Sequence, residues 1–389
     1  MTGTSCDGAD FAVLELSKHK NRWEEKLKFT NSILLPRNIK HKLKEAQKGG
    51  FTVPQIAALT RDYSLWLGKK CNQYLKKWKL SPHNTLTCIH GQTIWHSPPR
   101  GHALGFSVQL FDAAIVSMLT KTTVVFSFRQ SDLALGGQGA PLVPYYHWLR
   151  AVSTPYKKYI PFAIQNIGGI ANLTCIAHQK EKIIAFDTGP GNALIDFSVE
   201  KLTKGRQLFD RDGQYAQRGT VNWKKIKKIA NSSFFKSPPP KSTGKEIFDE
   251  SFLKNNFAGY SKNDLVAQAT ALTAYTMAKA YVDFVLPKVP TLNVIFLAGG
   301  GVKNKTLINW FQACLKELSQ KNISVLVLPL DFAPPQYLEA MAFARLGFEA
   351  YQGKAVSLAC VTGAKKNAKG AAIFPGPYDK DLKKFFECI

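Results

Sequence analysis

Acidic residues are scarce in this 389-residue sequence: 27 Asp and Glu stand against 52 Lys and Arg, for a formal net charge of +25. Cysteine pairing is also lacking. There are seven cysteines, an odd number, at Cys6, Cys71, Cys88, Cys175, Cys314, Cys360 and Cys388, with no C-x-x-C among them. Wide, odd spacing argues against a disulfide framework or a zinc ribbon and predicts a reducing, cytosolic setting. No apolar run is long and clean enough to span a bilayer. The longest, near Leu265–Leu286, is broken by Gln268, Lys279 and Asp283 and is expected to be a soluble helix. There is no charged-then-apolar leader pattern, no long-period repeat and no low-complexity tract.

The excess of base has no nucleic-acid motif to go with it. Zinc fingers, RNP-type aromatic blocks and Arg–aromatic interleaving are all missing. The lysines fall in small groups, such as Lys40/Lys42/Lys44, Lys76/Lys77/Lys79 and Lys224/Lys225/Lys227/Lys228. That pattern suits a solvated basic surface, which would also draw in a small anionic substrate. A basic nucleic-acid-binding protein stays as a competing reading, recognisable by salt-sensitive DNA binding.

What is present reads as an ordinary globular chain. It is 45% hydrophobic and 20% charged, and its length predicts two domains. Short continuous apolar runs predict strands at Phe11–Leu16, Thr85–Ile89, Thr122–Phe128, Pro161–Ile167, Ile183–Phe186, Asn293–Ala298 and Ile323–Leu328. Helical spacing predicts a basic helical region over Asn38–Lys79 and helices over Gly105–Leu119, Ala193–Leu202, Asp264–Leu286 (with Asp264 as N-cap) and Pro335–Gln352. Ser232–Gly244, which holds SPPPKSTG, reads as loop. The alternation implies an α/β protein with mixed sheets, whose ligands gather where strands end.

Several of those strand ends are unusual. IIAFDTGPGN places Asp187 where an apolar run stops, followed by Gly189 and Gly191. Glycines there let another molecule approach the backbone, and a carboxylate held there can accept a proton. Gly299–Gly301 follow Asn293–Ala298 and suit a ligand lying on the backbone, and Gly168-Gly169 follow another strand. Gly3-Thr4-Ser5 with Asp7-Gly8 forms a polar turn that could cradle phosphate through backbone N–H groups, although G-x-x-x-x-G-K-[ST] is absent. Gly136-Gly137-Gln138-Gly139-Ala140-Pro141, after Arg129 and Asp132, suits contact with a polar small molecule. His90 and His96 flank GQTIW without an accompanying acid cluster, so hydrogen-bonding or structural roles are preferred to a metal site. Lys241 lies in a proline-stiffened loop, either reaching an anion or solvated. Glu339 begins a helix, either for dipole reasons or to point into a cleft.

Taken in order, MTGTSCDGAD, IHGQTIWHSP, DLALGGQGAPLVP, QNIGGIANLT, FDTGPGN, DRDG, PPKSTGKE, DLVAQATALTA, LAGGG-VKN and EAMAFARL span almost the whole chain. In these blocks the sequence resembles the anhydro-N-acetylmuramic acid kinases of bacterial cell-wall recycling. The resemblance implies an actin/sugar-kinase type fold: two RNase H-like domains around a central cleft that closes on ATP. The N-terminal lobe is expected to take in residues 1–125 and roughly 365–389, and the C-terminal lobe residues 126–364. It implies ATP-dependent ring opening and phosphorylation of 1,6-anhydro-N-acetylmuramic acid to N-acetylmuramic acid 6-phosphate, in a cytoplasmic homodimer. ATP and Mg²⁺ are the implied cofactors, with the Mg²⁺ arriving on ATP and no protein side chains dedicated to it.

By their match to the family's blocks, Asp187 is the expected catalytic base. Gly3, Thr4, Ser5, Cys6, Asp7, Gly8, Ala9, Asp10, Gly168, Gly169, Gly189, Gly299, Gly300, Gly301 and Asn304 are expected at ATP and its phosphates. His90, Gln92, Arg129, Gln138 and Glu339 are expected at the sugar. Two departures stand out. Family members usually have a strand before the first turn, and here the chain starts inside that block, so the first strand of the first domain is expected to be missing. Ser127 stands where the family usually has Asp before Phe-Arg. The first departure motivates an alternative of another class: a catalytically impaired relative that binds nucleotide or sugar as a sensor.

Overall fold

The computed structural model describes residues 1–3, 6–19, 22–99, 103–244, 247–260 and 262–377. Thr4 and Ser5 of the expected phosphate turn, and Cys388, lie outside the described residues. The described strands are β1 (Gly8–His19), β2 (Arg22–Leu34), β3 (Leu86–Cys88), β4 (Gln92–Ser97), β5 (Phe106–Leu110), β6 (Thr123–Phe126), β7 (Phe162–Ile167), β8 (Ile170–Ile176), β9 (Ile184–Pro190), β10 (Val294–Ala298), β11 (Ser324–Val327) and β12 (Ala372–Phe374). The protein is mixed α/β. No helix among the described residues is long and apolar enough to cross a membrane. The described cysteines form no disulfide with one another.

The chain divides into two compact units. One is Met1–Tyr146 together with the segment from Gln336 onward, and the other is His147–Pro335. The sequence reading ended the first lobe at 125 and resumed it near 365. By contact, residues 126–146 and 336–364 also belong to the first unit. The helix Leu338–Tyr351 packs on β1, β3 and β6, and buried Asp132 accepts hydrogen bonds from Ser357 (2.6 Å) and Thr362 (2.7 Å).

In the first unit, β1 and β2 form an antiparallel hairpin with a register shift at Val13/Leu14. A second sheet has the order β12-β6-β3, with β3 parallel and β12 antiparallel to β6. A third pairs β4 with β5. The expected basic helical region is two helices, Arg37–Gln47 and Val53–Lys77. Gly49, at φ +83°, ends the first, and Thr52 opens the second with a capping box to Gln55. The helix expected over Gly105–Leu119 is corrected. Its first half is β5, paired with β4, and a helix forms only at Ala113–Thr120. Asp112 accepts from Ala114 N (3.0 Å) and Ile115 N (3.2 Å), and this cap fixes where the helix begins.

β1 and β3 each keep one edge that no described strand pairs along its length. A cavity of about 1150 Å³ is lined by both, including Phe11, Val13, Thr87 and Ile89, and by Ala344 and Phe348 of the helix Leu338–Tyr351. Residues 1–2 lie against one end of β1. Met1 and Asp10 exchange hydrogen bonds (N to O 2.7 Å, O from N 2.8 Å), and Thr2 bridges Ala9 antiparallel. Burial pushes the Met1 ammonium below its ordinary pKa.

The second unit is built on one five-stranded sheet of order β11-β10-β7-β8-β9. β7, β8 and β9 form an antiparallel meander, while β10 runs parallel to both β7 and β11. Its core is the helix Lys262–Ala280, buried at almost every position from Leu265 to Ala278. A helix apolar all round belongs at the centre of a layer, and the helices Lys305–Ser319 and Ala193–Thr203 pack against it. The one amide within that run, Gln268, is satisfied: Nε2 donates to Thr220 O (2.8 Å) and Oε1 accepts from Asn222 N (3.2 Å). Asp264 is not the N-cap expected of it. It lies inside the first turn and accepts from Thr220 N at 2.7 Å, tying a distant loop to the helix start. Ser232–Gly244 is loop except for the short helix Ser233–Lys236.

Candidate active site

In the first unit, Cys6 and Gly3 approach each other ahead of β1. Cys6 is buried with φ +55°, and its N–H donates to Gly3 O at 3.2 Å. Gln92, fully buried, donates from Nε2 to the same carbonyl at 3.0 Å, and Thr2 meets the Tyr63 hydroxyl at 2.9 Å. Exposed Asp7 pairs with Lys40 at 2.8 Å, and Asp10 accepts from Ser32. A Cβ on Gly8 would meet Ile33 O at 2.4 Å, so this glycine serves the hairpin. Ala9, 1% exposed, belongs to the core.

Arg129 organises a second group in this unit. Its Nε donates to His90 Nε2 (3.0 Å) and its Nη1 to Gly139 O (2.6 Å). His90 Nδ1 lies 2.8 Å from Gly91 O, so the ring is a neutral tautomer that donates there and accepts from Arg129. Burial, then the Arg129 charge, push His90 well below the usual imidazole range. Desolvation pulls Arg129 down to about 10, opposed by Glu339 and Asp132. Glu339 has an accessible surface but is hemmed in by protein. Desolvation raises its carboxyl, and Arg129 lowers it. Its position in the first turn of Leu338–Tyr351 is the one the dipole alternative describes. Asp132 holds the GGQGAP loop by accepting from Gly139 N at 2.8 Å, while Gln138 N donates to Thr362 O at 2.9 Å. Asp132, which the sequence shows only as an acid between Arg129 and Gly136, is the anchor of that loop. Ser127 adopts φ +59° and donates to Gln130 Oε1 at 3.1 Å.

In the second unit the glycine turns converge at the ends of parallel β7 and β10. Gly191 N and Ala193 N donate to Gly169 O (2.9 and 3.1 Å), and Asn192 N donates to Gly168 O (2.7 Å). Gly299 has φ +85°, and a Cβ on it would meet Asn166 Oδ1 and Ile167 O at 2.6 Å. Gly301 is packed as closely on Ile167. Gly300 is exposed, with only Asn192 Nδ2 within 4 Å of an added Cβ. The open backbone at Gly300, flanked by the Asn192 amide, is where a flat ligand can lie. Asn192 was quoted in the sequence reading without a role. Two of the expected ligand contacts also have packing duties. Asn304 caps Lys305–Ser319 by accepting from Leu307 N at 2.9 Å, and Gly189 gives way to the Phe235 ring, 2.6 Å from an added Cβ.

Asp187 is not at the end of its strand, as the sequence suggested. β9 continues to Pro190, and a register shift opposite Ala171/Asn172 lets it do so. The half-buried carboxylate accepts from Thr243 N at 2.8 Å, and Asp187 N donates to Lys241 O at 3.2 Å. Desolvation raises its pKa to about 6, with the Thr243 N–H pulling the other way. A carboxylate held near neutrality, with one oxygen free of any recorded partner, is equipped to take a proton from water.

This is the layout of a mixed α/β enzyme, with a tuned carboxylate on one strand and glycine-lined strand ends open to a ligand. The model of the family described as anhydro-N-acetylmuramic acid kinase matches residues 1–376. Anhydro-N-acetylmuramic acid kinases from Shewanella sediminis and Bacillus cereus are each 34% identical to the chain. The first covers 96% of this chain and 97% of its own length, and the second 94% and 96%. Among solved structures, a Schistosoma mansoni hexokinase complexed with glucose covers 89% of this chain and 87% of its own, at 8% identity and a TM-score of 0.38, a likeness too remote to argue from. The chain belongs to the anhydro-N-acetylmuramic acid kinase family.

Proposed function

We propose that the protein converts 1,6-anhydro-N-acetylmuramic acid, ATP and water to N-acetylmuramic acid 6-phosphate and ADP, in the recycling of peptidoglycan. The observation that carries the mechanism is Asp187, with its carboxyl near 6 and one backbone N–H fixing its orientation. Asp187 removes a proton from the water that attacks the anomeric carbon. The C1–O6 bond breaks, and O6 takes the γ-phosphoryl group. A placed base is worth about 10²–10⁴-fold, and positioning and charge neutralisation at the phosphates supply the remainder.

Arg129, His90, Gln92, Gln138 and Glu339 are read as sugar contacts. Gly3, Cys6, Asp7 and Asp10 of the first turn, with Gly168, Gly169 and Gly299–Gly301, are read as nucleotide contacts. Mg²⁺ on ATP neutralises phosphate charge and keeps several waters, needing only one or two carboxylates. Half-buried Asp10 at the head of β1 fits that need, and among the described residues no group of three His, Cys, Asp or Glu forms a cage. The enzyme is read as a cytoplasmic homodimer, a state that light scattering on the purified chain measures directly.

The finer fold reading is two RNase H-like sheets. In the second unit a meander is flanked by two parallel strands, in the order β9-β8-β7-β10-β11. We read the first unit as the same order, β2-β1, then the 1150 Å³ cavity, then β3-β6, a reading supported by the cavity lining shared between the two separate sheets. The cavity takes the place that β7 holds in the second unit.

The deciding experiment is an ADP-release assay with the anhydro sugar, run on this chain and on one bearing an apolar β-branched hexapeptide joined before Met1. ADP release with the sugar and loss of turnover in Asp187→Asn support the reading. ATP binding without sugar consumption in both forms sinks it. Sugar binding without turnover in this chain, with turnover in the extended one, selects the impaired-relative alternative for this chain alone.

A further inference from the structure

Lys241 sits in the loop that brackets Asp187, yet its ammonium points away from the carboxylate, into the body of the second unit. Its Nζ donates to Phe234 O and Phe235 O, both at 3.1 Å. It also lies over three aromatic rings, with centroids at 4.5 Å (Phe284), 5.1 Å (Phe234) and 5.5 Å (Phe186). The charged groups facing it are Asp283 and Lys279, which pair with each other at 2.7 Å. Desolvation draws the ammonium down to about 8, with Asp283 opposing and Lys279 assisting. A solvated loop lysine has none of these features. Charge-assisted donation to two carbonyls under an aromatic lid fixes the segment that carries it.

Besides the place of Asp187 opposite Asn172 in the β8–β9 ladder, that segment holds both its backbone N–H and its carboxylate. The Lys241 carbonyl takes the Asp187 N–H, and two residues on the Thr243 N–H holds the carboxylate. The Thr243 hydroxyl is buried without a hydrogen-bond partner, so it does not hold the loop in place.

We propose that Lys241 is a positioning residue for the catalytic base: its ammonium clamps residues 241–243 to the aromatic cluster so that the Thr243 N–H stays on the Asp187 carboxylate. The inference rests on Asp187 being the base. Without the clamp the loop moves off, the carboxylate loses its donor, and its anionic form is less favoured. The carboxyl then titrates at higher pH, and the acid limb of activity moves up.

The test is Lys241→Met in the full chain, which keeps the apolar stem under the rings and removes the donors. We expect kcat to fall about ten-fold, as for loss of a hydrogen bond to a charged group. We expect KM for ATP to stay within about two-fold and the acid limb of kcat/KM to rise by about one pH unit. Lys241→Gln, which can still donate to the carbonyls, should shift the limb less, and it serves if the Met variant does not fold. An acid limb fixed at the parent value overturns the proposal, whether kcat is retained or falls only in step with thermal stability. Asp187→Asn separates the two claims. If it still turns over, the base assignment fails and takes this inference with it. If it is inactive while the Lys241 variants leave the limb in place, only the inference fails.

Discussion

Asp187 combines two costs that act at different pH values. In the folded chain its carboxyl titrates at about 6 instead of the usual 3.8. Between those values the unfolded chain is ionised while the folded chain holds its proton, so stability falls as pH rises through that window and the full penalty applies above about 6. Activity has the opposite demand, because only the ionised carboxylate accepts a proton. Accordingly kcat/KM should drop about ten-fold per pH unit below about 6, which a buffer series with the coupled ADP assay reads directly. Asp187→Asn should lose turnover by about 10²–10⁴-fold. It should also be more resistant to urea than the parent at pH 8, by about 1–2 kcal/mol after allowance for partial exposure, with the gain disappearing near pH 4. Equal urea midpoints at pH 8 would mean that the carboxylate carries no desolvation penalty.

The elements show what local sequence could and could not reveal. β7, β10 and the helix Ala193–Thr203 were legible because each presents an apolar run or a 3.6-residue stripe. β2 was missed because RWEEKLKFTNSIL scatters its apolar residues among charged and polar ones and has no continuous apolar run. Its charge is answered far along the chain: Glu25 is buried against Arg345 at 3.0 Å and accepts from Tyr146 at 2.8 Å. No local pattern contains that partner. β5 was mistaken for helix because its five residues run almost directly into the apolar helix Ala113–Thr120, although its partner is the preceding strand β4. The site divides the same way. The glycine turns and Asp187 could be found from the chain alone, whereas the Thr243 N–H, the Lys241 clamp and the Asp132 anchor exist only after folding. Arg345 tests how much such a distant answer is worth. It also pairs with Glu349 at 3.0 Å, and all three side chains are at most 5% exposed. Arg345→Met should cost about 3–5 kcal/mol because two buried carboxylates lose their common cation. Lys354, half exposed at 3.3 Å from Glu349, offsets only part of this. Denaturant unfolding of the single variant and of Arg345→Met/Glu25→Gln checks the account. The double variant should recover part of the loss, and an additive result would deny the coupling.

For the molecule as a whole, the charge of +25 is the property least explained by the kinase chemistry. Most recorded ion pairs are on the surface and neutralise little of it, and the lysine groups along Arg37–Gln47, Val53–Lys77 and Trp223–Ile229 are largely solvated. Such a surface binds any polyanion by releasing counterions, without reading sequence. It also raises the local concentration of ATP and of a sugar carboxylate, an effect that salt screens over about 8–10 Å. Duplex DNA should therefore bind at low ionic strength with a steep salt slope, show no sequence preference, and dissociate near physiological salt. Over the same range kcat/KM for ATP should decline while kcat at saturation stays constant, because steering alters encounter and leaves the chemical step unchanged. Fluorescence anisotropy with two unrelated duplexes, read beside the ADP assay across a salt series, makes both measurements on one preparation. If one duplex stays bound at physiological salt and the other is released, the basic surface reads sequence, and the protein has a nucleic-acid function beyond its kinase family.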